Sequence, residues 1–131
     1  MGRNGENTCY RREAIKYIEV QKALEYSGVR EPDHVRNQED GFSLIYESIK
    51  NGTPYDAVVT DMQYPLEKGT SIDKEAGFKL IERLKKEGIN IPVIICSQSN
   101  FFEPEAFGTV WYDDRRDLNA DFKVLIDKLR K

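Results

Sequence analysis

The chain has 131 residues, enough for one domain with one buried core. Hydrophobic residues make up 39% and charged residues 33%, and the apolar ones gather in runs, which excludes a disordered chain. The 20 basic and 23 acidic residues are interspersed, for a formal net charge of −3; no basic stretch marks a nucleic-acid footprint, and the longest apolar run, Val93–Cys96, is far too short to span a membrane.

Met1–Thr8 is polar and carries glycine, unlike a signal peptide. Arg12–Tyr26 predicts a helix, with Ala14, Ile15, Ile18, Ala23 and Leu24 near helical spacing and Gly28 as its stop. Pro32 follows, and His34–Asn37 predicts a short strand. Gly41–Lys50 predicts a second helix through Phe42, Leu44, Ile45 and Ile49, closed by Asn51-Gly52. Tyr55–Thr60 contains the apolar stretch Ala57-Val58-Val59, a pattern suited to a strand buried on both faces, and Asp61 stands at its carboxyl end.

Met62–Glu75 predicts a long polar loop with Pro65 and Gly69. Gly77–Glu87 predicts a helix through Phe78, Leu80, Ile81 and Leu84, closed by Gly88. Ile91–Cys96 is the clearest strand in the sequence. Ser97–Phe107 reads as a loop or a short helix, and Thr109–Tyr112 as a short strand. Leu118–Leu129 predicts the last helix, with Leu118, Phe122, Leu125, Ile126 and Leu129 on one face and Asp117 or Asn119 as its cap. Cys9 and Cys96 match no metal or disulfide framework, which fits a reducing, cytoplasmic setting. Cys96, inside an apolar run, reads as a small buried hydrophobe.

Strands alternating with helices imply βαβ crossovers and a parallel sheet covered on both sides. The expectation is one α/β domain over residues 1–131. In such sheets ligands sit at the carboxyl ends of the strands, so Asp61 and Ser97, each directly after a strand, are expected on one rim.

Several segments together resemble the receiver domain of bacterial response regulators. Tyr55–Pro65 resembles the phosphoacceptor segment: an apolar strand, an aspartate, then a proline four residues on. Gly77-Phe78-Lys79-Leu80-Ile81 with Leu84-Lys85 resembles the helix that follows. Ile91–Ser97 resembles the fourth strand, which ends in the family's Ser or Thr, and Gly108-Thr109 resembles the Gly-Ala before the fifth. The resemblance spans about residues 12–131. It implies a doubly wound parallel sheet of four to five strands in the flavodoxin-like order 2-1-3-4-5.

The chemistry that the resemblance implies suits the residue types. A carboxylate can attack a phosphoryl group and form an acyl phosphate. The charge on the transferring group ordinarily needs Mg²⁺, with hard oxygen ligands, and a cation. Asp61 would be nucleophile and metal ligand, the Gln63 main-chain carbonyl a second ligand, and the Ser97 hydroxyl a donor to a phosphoryl oxygen. The bland readings are an aspartate that ends a strand and a serine that bonds its own turn.

Three departures from the pattern stand out. Receivers open with an apolar strand ending in an acidic pair that holds the metal, which would make Glu6 a third metal ligand here. Here that strand would be Met1-Gly2-Arg3-Asn4-Gly5, degenerate or missing, and of the pair only Glu6 is a carboxylate. The lysine expected after the fifth strand is absent. Counting from Gly108 puts Arg115 in its place, with Tyr112 at the aromatic position; counting from the apolar strand puts Asp113 or Asp114 there. Leu66–Glu75 lengthens a turn that is usually short.

The leading expectation is therefore a stand-alone receiver-like signalling domain and no enzyme beyond its own phosphorylation. A histidine kinase would phosphorylate Asp61. With the chain ending at Lys131, just after the last helix, output would pass through contacts with a downstream protein. The alternative is a pseudo-receiver that takes no phosphate and serves as an interaction module, where an open sheet edge would favour a homodimer. A small Mg²⁺-dependent phosphate-ester hydrolase is more remote, because no second strand-end aspartate or P-loop accompanies Asp61.

Overall fold

The structure is a computed structural model that describes residues 18–29, 32–100 and 102–130. The chain divides into two compact units: Val35–Tyr112, and Met1–His34 together with Asp113–Lys131.

In Val35–Tyr112 the elements run α2 (Gln38–Lys50), β1 (Val58–Thr60), β2 (Tyr64–Pro65), β3 (Ile72–Asp73), α3 (Ala76–Lys86), β4 (Val93–Ser97) and β5 (Gly108–Trp111). The fold is α/β: among the described residues, β1, β4 and β5 form a parallel sheet in that spatial order, and β2 and β3 form a small antiparallel hairpin. β4 is central. Its five residues are all buried, as its unbroken apolar sequence requires of a strand covered on both faces. Val93 and Ile95 join a core with Phe42 and Ile45 of α2, and Leu80, Ile81 and Leu84 of α3. The two helices therefore cover one face of the sheet. Ile94 and Cys96 alternate to the other face and are buried as well.

Three parallel strands are fewer than the four to five expected. The degenerate first strand falls on residues that lie outside those described. The strand expected at His34–Asn37 does not form. Asn37 is instead the N-cap of α2: its side-chain oxygen accepts the Asp40 N–H at 2.8 Å, and Glu39 and Asp40 place negative charge in the first turn. The cap starts α2 at Gln38 rather than Gly41. The Met62–Glu75 segment is more ordered than the predicted loop, since Tyr64 pairs with Asp73 and Pro65 with Ile72. The Glu39 N–H donates to the Leu66 carbonyl at 2.9 Å and ties this hairpin to the start of α2.

α3 ends at Gly88, whose φ of +71° suits glycine. The Gly88 N–H reaches Lys85 O and the Ile89 N–H reaches Leu84 O, closing the last turn while Ile89 packs on the core. The same pair of bonds closes α2 at Gly52, and residues 18–26 (α1) at Gly28, where the sequence places both stops.

In the second unit, Ala23 and Leu24 of α1 are buried, while Ile18 is exposed. The last helix, α4 (Leu118–Leu129), buries Phe122 and Ile126 and is capped by Asp117, which accepts the Ala120 N–H at 3.1 Å. Arg130 then donates to the carbonyls of Ser27 and Gly28 at 3.1 and 3.2 Å, giving the carboxyl end of α1 a cationic partner. Among the described residues, no helix is long and apolar enough to cross a membrane.

Candidate functional site

The carboxyl ends of β1 and β4 form the rim on which the predicted residues converge. Thr60 pairs with Ile95, so Asp61 stands level with Cys96 and Ser97 one residue beyond. Asp61 and Ser97 thus stand at the carboxyl ends of neighbouring parallel strands.

Asp61 is half-buried, and its Oδ1 accepts the N–H of Met62 at 2.7 Å. Its main-chain carbonyl accepts from the Thr60 hydroxyl at 2.8 Å. The Gly77 N–H donates to the Met62 carbonyl at 3.0 Å, which fastens the first turn of α3 to this stretch. A Cβ on Gly77 would lie 2.9 Å from the Asp61 carbonyl oxygen, so the close approach requires glycine. Ser97 is buried; its Oγ accepts the Ser99 N–H at 3.1 Å, and its carbonyl accepts the Tyr112 N–H at 2.7 Å. The serine therefore makes the local turn of the bland reading, with its hydroxyl proton still to donate. Trp111 Nε1 donates to Gln98 O at 3.0 Å and holds the segment after Ser97 to the end of β5.

Three further polar residues, none of them expected at the site from sequence, gather here. Gln38 Nε2 lies 3.3 Å from the Tyr64 hydroxyl and 3.0 Å from Ala76 O, and the Tyr64 hydroxyl is 3.1 Å from Thr60 Oγ1. Burial pushes the Tyr64 phenol above its ordinary value of 10.0; the bond donated by the Gln38 amide works against this, and the Asp61 and Asp73 charges add to it. Two signals pointed to this cluster: a threonine closing an apolar strand, and an aromatic beside proline in a polar loop.

The remaining expected residues do not join the rim as described. Gln63 is exposed, two residues after Asp61. Glu6 lies outside the described residues. Arg115 belongs to the other unit and forks onto Asp113, with Nε–Oδ1 at 2.8 Å and a terminal guanidinium nitrogen 3.1 Å from Oδ2. Among the described residues, no group of three or more His, Cys, Asp or Glu gathers to hold a metal. Asp61 and the Gln63 carbonyl do not by themselves make up the Mg²⁺ site implied by the resemblance.

The Arg115 fork has a measurable signature. Hydrogen bonds from the Arg115 side chain and main chain hold the Asp113 carboxyl down at about 2, from 3.8. A depressed folded pKa contributes stability that is present above the unfolded value and lost as pH falls through the folded one, here between about 4 and about 2. Arg115→Ala, which keeps the main-chain bond, is expected to move the Asp113 titration part of the way back toward 3.8, read by carboxyl NMR; an unmoved titration would remove the Arg115 side chain as its partner.

A separate open groove of about 450 Å³ lies at the opposite, amino end of β4, lined by residues that include Leu84, Ile91, Val93 and Phe107. It is distinct from the rim and contains neither Asp61 nor Ser97. No family model matches the chain, and no curated protein matches it.

Proposed function

We propose that the chain is a receiver-like signalling module in which Asp61 accepts a phosphoryl group. The observation that carries this reading is the register that sets Asp61 and Ser97 at the carboxyl ends of adjacent parallel strands. The order β1-β4-β5 corresponds to the 3-4-5 half of the doubly wound order. An Asp61 carboxylate oxygen would attack phosphorus and form a mixed anhydride, while the bond from phosphorus to the donor's leaving atom breaks. The donor would be a phosphohistidine of a kinase, and the output a contact with a downstream protein near the rim. The setting proposed is cytoplasmic.

Intact-mass spectrometry tests this after incubation with Mg²⁺ and acetyl phosphate. One added phosphoryl group is expected on the wild type and none on Asp61→Asn. Folded wild type that gains no mass would leave the second reading, a pseudo-receiver acting as an interaction module. That reading is favoured by the engagement of Arg115 with Asp113.

A further inference from the structure

Polar groups of Gln38, Tyr64, Thr60 and Asp61 form a chain whose direction follows from counting protons. The Thr60 hydroxyl lies 2.8 Å from the Asp61 carbonyl and 3.1 Å from the Tyr64 hydroxyl, but it has one proton. A carbonyl can only accept, so Thr60 donates to Asp61 and Tyr64 donates to Thr60. The two protons of the Gln38 amide go to the Tyr64 oxygen and the Ala76 carbonyl. Each proton then has one acceptor, and the chain runs one way from Gln38 to Asp61. Thr60 and Gln38 are 7% and 6% exposed, so breaking a link leaves a buried polar group without its partner.

The side chains of Gln38, Tyr64 and Thr60 have no place in the phosphoryl chemistry proposed above. What they hold is the main chain that carries the acceptor. The Asp61 carbonyl is engaged by Thr60, the Met62 N–H by the Asp61 carboxylate, and the Met62 carbonyl by Gly77. Of these holds, only the first depends on side chains other than that of Asp61, and Tyr64 is its central link.

We propose that Tyr64 is a positioning residue for phosphoryl acceptance at Asp61: its hydroxyl fixes the Asp61 main chain through Thr60, and ties it through Gln38 to the first turns of α2 and α3. The proposal rests on the reading of Asp61 as acceptor. In-line attack tolerates little displacement of the nucleophile, so a hydroxyl remote from the reacting atoms can govern the rate.

The test compares wild type, Tyr64→Phe, Thr60→Val, Thr60→Ser and the Tyr64→Phe/Thr60→Val double variant. Initial rates of phosphoryl addition are followed by intact mass over a range of acetyl phosphate concentrations with Mg²⁺, and normalised to the folded fraction from circular dichroism. Tyr64→Phe and Thr60→Val are each expected to lower the normalised maximal rate about tenfold while the half-saturating donor concentration stays unchanged. Thr60→Ser, which keeps the hydroxyl, should retain the wild-type rate, and the double variant should be no slower than either single one. Normalised rates equal to wild type in Tyr64→Phe and Thr60→Val would mean that the chain is merely structural, and would overturn the proposal alone. A folded wild type that takes no phosphoryl group would overturn the reading of Asp61 and this proposal together.

Discussion

Replacing Phe42 with alanine is expected to lower the unfolding free energy by about 3–5 kcal/mol, the usual cost of emptying a buried aromatic position. Phe42 is fully buried at the centre of the core that α2 and α3 share with β4. Its neighbours Ile45, Leu80, Leu84 and Ile95 project from three different elements, so the cavity cannot close by moving one of them. The ring also supports Arg83, whose guanidinium carbon lies 3.9 Å from the ring centroid. Small domains are stable by only about 5–15 kcal/mol, so this single change removes a large share of the total. Chemical denaturation followed by circular dichroism measures it. A loss below about 1 kcal/mol would mean that the core collapses around the site, against the packing described.

The second large effect is expected from a smaller change, Gly77→Ala. Helix propensity alone favours alanine over glycine, by about 1 kcal/mol in a helix interior and by less in the first turn, where Gly77 stands. At position 77 that gain meets a backbone obstacle. The new Cβ would lie 2.9 Å from the Asp61 carbonyl oxygen and 3.2 Å from Met62 Cα. Both are main-chain atoms, so neither can swing aside as a flexible side chain would. We expect a net loss of about 1–3 kcal/mol, the range for overpacking a close contact, together with a displaced Asp61. Phosphoryl addition should then fall further than stability does. If Gly77→Ala instead raised the melting temperature, propensity would have won and the close approach would not constrain the site.

The elements legible in the sequence are those written by continuous apolar runs and strong stops. β4 could be read because Val93, Ile94, Ile95 and Cys96 leave no polar position for a solvated face. α4 came out at its own limits because Asp117 caps it and its apolar residues recur at helical spacing. Asp61 and Ser97 could be assigned to one rim because each directly follows such a strand. The start of α2 is not legible, because Val35 and neighbouring residues offer little pattern, while the cap at Asn37 acts through one hydrogen bond to Asp40. The β2–β3 hairpin was unreadable for a different reason. Its strands are two residues long, below the length at which alternation can be seen, and it is anchored by the distant Glu39–Leu66 bond. Gln38 and Tyr64 leave no mark of their pairing in the sequence because their partners are far away along the chain, and no local periodicity signals a pair that only the fold brings together.

Arg83 joins α3 to α2 in more than one way. It donates to Glu39 and Tyr46 on α2, bonds Glu87 just beyond the end of its own helix, and lies over the Phe42 ring. Burial works against its charge, yet the bonds to Tyr46, Glu87 and Glu39 outweigh this and hold its pKa above the ordinary arginine value. Each exposed ion pair is weak by itself. Taken with the shared core, however, these contacts leave no way for one helix to lift while the other keeps its partners. The two helices are therefore expected to open together in native-state fluctuations, so that amides of α2 and α3 share one opening free energy in hydrogen exchange; clearly different values for the two helices would overturn this.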